Sequence, residues 1–312
     1  MTEIVTLTLN PALDISTSVI RLIPDHKLRC EEPRYDPGGG GVNVARVIRR
    51  LGGDVTAVFP AGGSSGATLE RLLREEGVTS HVVPTRSATR ENFHVFEEET
   101  EQQYRFILPG PPLSRSTWQR CRSAVILGSG SSKFIICSGS VPRGAPDDSY
   151  ARLARHGKRT GAQVIVDSSG PALRTALRQG VYLVKPSLSE LCQLTGRKLE
   201  TEASRIEVCR DLVAAGAARI VALTLGSHGA LLVTHETTLR AKAVQIALKT
   251  TIGAGDSFLA ALVWSLTQGR PIADALRMAV AAGASALLGR GTGLCIQEDI
   301  DRLTPLVRLE EY

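Results

Sequence analysis

Aromatic side chains are scarce in this chain: Phe, Tyr and Trp together make up 4% of its 312 residues. A core with few rings has to be filled by Leu, Val, Ile and Ala, which suits parallel strands covered by helices better than an aromatic-rich β-sandwich. Cysteines are few and scattered. Cys30, Cys121, Cys137, Cys192, Cys209 and Cys295 form no C-x-x-C pair, and no histidine cluster joins them, so neither structural zinc nor a disulfide framework is expected. No block of consecutive Lys and Arg occurs; the densest stretch, Arg46 to Arg50, lies on a segment whose other positions are apolar. The net charge of +6 therefore points to small anionic ligands rather than to nucleic acid. No apolar run approaches a membrane span, and the first residues alternate like a strand without a basic leader, so a reducing cytoplasm is the expected location.

What is present is ordinary globular composition, 43% hydrophobic and 22% charged, in which disorder is not expected. A first strand is expected over Glu3 to Asn10, followed by a polar, irregular stretch to Pro37 and four consecutive glycines, Gly38 to Gly41. Val42 to Leu51 has apolar residues at helical spacing and stops at Gly52-Gly53. Val55 to Phe59 reads as a buried strand, and Thr68 to Glu76 as a helix closed by Gly77. Between Glu91 and Leu108 the period changes to two around an acidic turn, which predicts a hairpin. From Phe134 onward the strands Phe134–Cys137, Gln163–Val166, Tyr182–Val184 and Ile220–Thr224 alternate with helical segments. That spacing predicts right-handed βαβ units and a parallel sheet. Two helices rich in small residues are expected over Gly255 to Gly289.

Three segments carry chemistry. In Thr250-Thr-Ile-Gly253-Ala254-Gly255-Asp256, two glycines flank a small residue directly before an apolar helix. Glycine lets backbone N–H groups turn toward one point, and a helix N-terminus adds partial positive charge there. Such a turn stabilises phosphoryl oxygens in flight, and Asp256 is placed to accept a hydroxyl proton. The plainer alternative is a helix cap after a glycine turn. The glycine run at 38 to 41, followed by Asn43, would allow a ligand close to backbone, or act as a hinge. Val184-Lys185-Pro186-Ser187-Leu188-Ser189-Glu190 joins a strand end to a helix start, where open α/β sheets bind ligands. Lys185 and Glu190 could serve nucleotide phosphates and Mg²⁺, or the segment could be an ordinary cap.

These segments in this order, together with Asn10-Pro-Ala-Leu-Asp14, resemble the PfkB (ribokinase-like) carbohydrate kinases. Gly38 to Arg46 is similar to the family's N-terminal signature and Thr251 to Phe258 to its C-terminal one. Lys27-Leu-Arg29-Cys30, Phe59-Pro-Ala-Gly-Gly63, Gln103-Tyr-Arg105-Phe106 and Val166-Asp-Ser-Ser-Gly170 look like its 6-phosphofructokinase branch. The resemblance implies a three-layer αβα sandwich with a mostly parallel sheet, one domain over 1–312, and a β-lid from about 15–36 and 90–108. It implies transfer of phosphate from MgATP to the C1 hydroxyl of fructose 6-phosphate. Asp256 would be the base, with the amides of Gly253, Ala254 and Gly255 as anion hole. Asp14, Gly38, Gly39 and Asn43 would hold sugar hydroxyls. Arg90 and Ser140 would grip the 6-phosphate, with Lys27 and Arg29 reaching in from a lid, that of a partner subunit included, and Arg105 would also bind substrate. Lys185, Ser187, Thr224, Gly226 and Gly229 would line the nucleotide site, and Glu190 would hold Mg²⁺ through water.

The family's lid also implies a homodimer, and a loop of Thr250, Ile252, Ala286, Gly289 and Gly291 implies a K⁺ site. Ser187 departs from the family's usual Asn. Asn10-Pro11-Ala12 is similar to kinases of fructose 1-phosphate and tagatose phosphates, whereas Gly40 stands where the fructose 1-phosphate enzymes carry Lys. A kinase for fructose 1-phosphate or tagatose 6-phosphate is thus the alternative activity, and a catalytically silent sugar-phosphate sensor the alternative class. A nicotinamide oxidoreductase is excluded, because its G-x-G-x-x-G should follow the first strand directly.

Overall fold

Strand-forming runs alternate with amphipathic helices through most of the chain, and the fold stacks them in layers. The computed structural model describes residues 3–128, 133–247, 250–289 and 293–312. In chain order the strands are β1 (Ile4–Leu7), β2 (Ala12–Val19), β3 (Arg34–Gly38), β4 (Val55–Ala61), β5 (Thr79–Pro84), β6 (Arg90–Glu97) and β7 (Gln102–Ile107). They continue as β8 (Phe134–Ser138), β9 (Gln163–Asp167), β10 (Val181–Val184), β11 (Ala218–Thr224), β12 (Ala230–Val233), β13 (Thr238–Ala241) and β14 (Leu309–Glu311). The helices are α1 (Gly40–Arg50), α2 (Gly63–Glu75), α3 (Arg115–Gly128), α4 (Ser149–Thr160) and α5 (Gly170–Gln179). After them come α6 (Leu188–Thr195), α7 (Glu202–Ala214), α8 (Ala254–Thr267), α9 (Ile272–Ala286) and α10 (Gln297–Leu303).

Ten strands form one sheet in the order β14-β13-β12-β11-β10-β9-β8-β1-β4-β5. The run from β11 to β5 is parallel, and β12, β13 and β14 close one edge antiparallel. Successive residues of a strand point to opposite faces, so Ile135 joins the core on one side of the sheet and Ile136 the core on the other. One core packs beneath α1, α8 and α9; the other beneath α3, α4, α5 and α7. Each large aliphatic side chain fully buried there contributes about 1.5–3 kcal/mol.

A second sheet of four strands, in the order β3-β2-β6-β7, lies outside these layers. Its register puts Asp14 opposite Asp36 and Asn92 on one face, and Ile15 opposite Tyr35 and Phe93 on the other. Phe93 in turn faces Phe106. The segment expected to be irregular before Pro37 therefore contains two strands. Leu13, Ile15, Thr17 and Val19 carry the period-two signal for the first of them. The expected opening strand is shorter, ending at Leu7 with β2 beginning just past Pro11, and α2 starts five residues before Thr68. Gly63-Ser-Ser-Gly reads as a turn in isolation, but the segment around Thr89 holds it. Thr89 N donates to Gly62 O at 2.8 Å, and Ser65 Oγ donates to Thr89 O at 2.7 Å.

Candidate active site

The α8 helix begins directly after Gly253, whose φ of +78° is left-handed and favours glycine. The first amides of a helix have no carbonyl one turn behind them, so the 253–255 turn presents donors reinforced by the helix dipole. Asp256, half-buried in that first turn, accepts a hydrogen bond at Oδ2 from Asn43 Nδ2 of α1 at 2.9 Å. Burial pushes the Asp256 carboxyl up to about 7, with Asp167 and Asp14 adding to the rise and Asn43 and Lys185 opposing it. A carboxyl with that proton affinity is matched to proton transfer near neutral pH.

Lys185 and Asp167 stand at the C-terminal ends of adjacent parallel strands, β10 and β9, with Nζ 3.0 Å from Oδ1. Burial works against the Lys185 ammonium, but Asp167, Asp256 and Glu190 outweigh it and hold its pKa above the ordinary value. Its tip is close to the helix start: a Cβ added at Gly255 would lie 3.6 Å from Nζ. Ser187 and Glu190 form a reciprocal cap on α6, in which Glu190 Oε2 accepts from Ser187 N at 2.7 Å and Ser187 Oγ at 2.9 Å. One oxygen of Glu190 is thus committed to the helix. Among the described residues no group of three His, Cys, Asp or Glu side chains could hold a metal by itself. The remaining oxygen of Glu190 is a hard donor, which fits Mg²⁺ arriving with phosphates and keeping water in its shell. Thr224 pairs with Ser187 across a β-bridge and donates from N to Pro186 O at 3.0 Å. Gly226 and Gly229 shape the turn that follows.

On the sugar side, Asn92 Nδ2 donates to Asp14 Oδ1 at 2.8 Å, and His94 Nε2 lies 3.7 Å from the same oxygen. The glycine run is not a space left for a ligand alone. A Cβ at Gly38 would strike the Asp14 carboxylate, at Gly40 the Ser138 hydroxyl, and at Gly41 Thr8 Oγ1 and Leu7 O. Gly39 has φ of +106°. Arg90 donates from Nη1 to Leu108 O and from Nη2 to Asn10 O, both at 3.1 Å, and Asn10 Nδ2 donates to Ser140 Oγ at 2.9 Å. Burial lowers the pKa of the Arg90 guanidinium, opposed by Asp14. Among the described residues, Arg90 Nε, Asn92 Oδ1 and both ring nitrogens of His94 are buried without a hydrogen-bond partner. Polar atoms left that way mark a surface that a polar ligand completes. Arg105 is exposed on β7 opposite His94, while Lys27 and Arg29 are exposed in the connection between β2 and β3.

A model described as pfkB family carbohydrate kinase matches residues 7–299. The chain belongs to that family. ATP-dependent 6-phosphofructokinase isozyme 2 of Mycobacterium tuberculosis is 42% identical over 304 residues, 97% of this chain and 89% of that protein. The Escherichia coli protein of the same description is 38% identical over 305 residues, 97% of this chain and 98% of that one. Crystal structures of Escherichia coli phosphofructokinase-2 with fructose-6-phosphate and with potassium superpose with TM-scores of 0.92 and 0.93. Each covers 98% of this chain and 99% of its own, at 37% and 38% identity. The fold is ribokinase-like: Arabidopsis thaliana ribokinase gives a TM-score of 0.75 at 20% identity, over 97% of this chain and 99% of that one.

In this pfkB chain the geometry thus joins Asp14, Gly38, Asn43, Lys185, Gly255 and Asp256 around one centre, with Arg90 and Ser140 linked through Asn10 beside it. Sequence reading missed Asp167, Asn92 and His94 as members. Asp167 had a usable signal, since it ends a parallel strand where ligands bind. Of the expected cation loop, Thr250 N donates to Leu287 O at 3.3 Å, which brings Thr250 and Ile252 to the end of α9 near Ala286 and Gly289. Gly291 lies outside the described residues.

Proposed function

We propose that this chain transfers the γ-phosphoryl group of MgATP to the C1 hydroxyl of fructose 6-phosphate, releasing fructose 1,6-bisphosphate and ADP. The observation that carries the reading is the meeting, at the start of α8, of a carboxylate held by an amide, a turn of helix N-terminal amides and a buried ammonium. Phosphoryl transfer passes through a loose transition state, so catalysis is mostly positioning and charge stabilisation. Asp256 takes the C1 proton as the new O–P bond forms. The amides of Gly253, Ala254 and Gly255, with Lys185, face the charge spread over the transferring oxygens. Mg²⁺ bound with ATP would neutralise the phosphate charge, and Glu190 would hold it through water. Ser187, Thr224, Gly226 and Gly229 line the nucleotide side.

Asp14, Gly38, Gly39 and Asn43 orient the sugar hydroxyls, and Arg90, Arg105 and Ser140 bind the 6-phosphate, whose binding energy fixes the reacting hydroxyl. The orphaned donors and acceptors on the lid's inner face support a highly hydroxylated ligand, and the relatives' descriptions as 6-phosphofructokinases favour fructose 6-phosphate among ketohexose phosphates. The four-stranded sheet serves as a lid on one kinase domain. Its outer face carries exposed Tyr35, Phe93 and Phe106 in one cross-strand row, which supports a homodimer through paired lids, with Lys27 and Arg29 entering the partner's site. The potassium-bound relative supports a K⁺ site at the 250–252 loop. Among the described residues no helix is long and apolar enough to cross a membrane, which suits work in the cytoplasm.

ADP release with MgATP, measured separately for fructose 6-phosphate, fructose 1-phosphate, tagatose 6-phosphate and fructose, tests the assignment. A kcat/KM preference for fructose 6-phosphate is expected. Preference for another sugar phosphate would overturn the substrate, and binding without turnover would overturn the enzyme reading in favour of a sensor.

A further inference from the structure

Asn43 serves Asp256 in only one of its two amide orientations, because only Nδ2 can donate to a carboxylate. What selects that orientation lies behind it. Arg46, three residues along the same face of α1, is 1% exposed. Its Nη1 donates to Asn43 Oδ1 at 3.4 Å and to Pro37 O at 2.8 Å. Nε donates to Glu76 Oε1 and Oε2 at 3.0 Å, and Nη2 donates to Glu76 Oε1 at 2.6 Å. Asp36 Oδ1 lies 3.5 Å from Nη2. Asp36 and Pro37 belong to β3, the lid strand that runs into Gly38, against which the Asp14 carboxylate packs. A single guanidinium therefore grips both the amide that serves the base and the strand that ends in the sugar pocket.

Stability is a weak reason for such an arrangement. Buried ion networks are often replaceable by apolar side chains of similar volume without loss. The fork of an Arg, by contrast, fixes several acceptors in one geometry, which a point charge does not do.

We propose that Arg46 is a positioning residue: it locks the Asn43 amide with its NH₂ group toward Asp256 and ties the competence of that base to the seating of lid strand β3. The inference rests on the reading of Asp256 as the base of phosphoryl transfer. Without Arg46 the Asn43 amide is free to turn its carbonyl oxygen toward Asp256. The carboxylate then loses a donor and meets a lone pair, and it holds its proton more tightly. The loss falls on kcat and on the acid limb of the pH–rate profile. The lid strand also loosens, so sugar KM rises, whereas the KM for ATP is spared.

The test is a cycle of Arg46→Gln and Asn43→Ala, alone and combined, with kcat–pH profiles for fructose 6-phosphate from pH 5.5 to 9. Arg46→Gln is expected to lower kcat roughly 10-fold or more and to move the acid limb upward by about half to one pH unit. Added to Asn43→Ala, it should change kcat by no more than about 2-fold, because two residues acting through one contact do not add. Losses that multiply in the double variant, with an unmoved limb, would reduce Arg46 to a structural role and overturn the proposal. Should Arg46→Gln fail to fold, Arg46→Lys keeps the charge beside Glu76 and Asp36 without the fork. It should still shift the limb, and a wild-type profile from that variant would also overturn the proposal. Near-normal kcat in Asp256→Asn would instead remove Asp256 as the base, a failure of the underlying reading and separable from this one.

Discussion

Replacing the base by its isosteric amide should impair catalysis and strengthen the fold at once, and both effects can be worked out from the site. The Asp256 carboxyl has an ordinary value of 3.8 and is held at about 7, a rise of about three pH units (7 − 3.8), or about 4 kcal/mol at 1.36 kcal/mol per unit. Asp256 keeps part of its surface open to the cleft, and solvent there relaxes the cost, so about 2 kcal/mol is the working figure. The sign follows from proton binding. A carboxyl that holds its proton more tightly when folded than when unfolded adds stability below the unfolded value near 4, and that increment is lost as pH rises toward 7. Above pH 7 the wild-type fold carries a disfavoured ion, and Asp256→Asn removes it. At pH 8 the variant should melt about 3 °C above wild type, from about 2 kcal/mol over an unfolding entropy of about 2.1 cal/mol/K per residue. The gap should shrink steadily as pH is lowered to 5. Meanwhile kcat should drop by roughly two to four orders of magnitude, with sugar KM little changed. Scanning calorimetry at one scan rate across pH 5–8, paired with ADP-release assays, reads both. Melting temperatures that stay equal at every pH would refute the argument that the site disfavours the ionised carboxylate, and near-normal kcat would refute the role of base.

Arg90→Ala should raise KM for fructose 6-phosphate by roughly 10- to 100-fold, the range for losing a charged hydrogen-bonding group, with kcat within a few-fold. Initial rates against sugar concentration check this, and an unchanged KM would put the phosphate pocket elsewhere. Phe106→Asp places a charge in the exposed row of Tyr35, Phe93 and Phe106 and should halve the mass seen by light scattering at micromolar protein. A wild-type chain that is already monomeric under those conditions would refute the lid dimer.

Much of this architecture was legible because local chemistry and global position agree. Phe134–Ser138, Gln163–Asp167 and Ala218–Thr224 are short apolar runs punctuated by helical segments, and each became a central parallel strand. The change to period two after Arg90 marked the β6–β7 hairpin correctly. The Gly253 to Asp256 turn announced its own geometry, since a left-handed glycine before an apolar helix is a local event. What stayed hidden depends on partners distant in sequence. The antiparallel edge of β12, β13 and β14 is made of strands only three or four residues long, too short for a periodic signal. Asp167 joins the site because β9 and β10 are neighbours, so that its carboxylate meets Lys185. The glycine run was legible as a close approach, but not that protein atoms occupy most of the space. The reach of Arg46 from α1 to Glu76, Asp36 and Pro37 is likewise invisible until three elements are packed.

The contact between Asn43 and Asp256 spans 213 positions of chain, and this has a bearing on how the protein is made. At about 5–20 residues per second of synthesis, about 10–40 seconds separate the two residues. During that interval the emerging chain holds β1, β4, β8, the lid strands and the residues around Asp14 and Arg90, because all of these precede residue 140. It has neither the proton acceptor nor the turn of amides that faces the phosphoryl group. A nascent or prematurely released chain therefore lacks both the base and the turn of amides, and turnover begins only when the last third has docked, since the core beneath α1 is completed by α8 and α9.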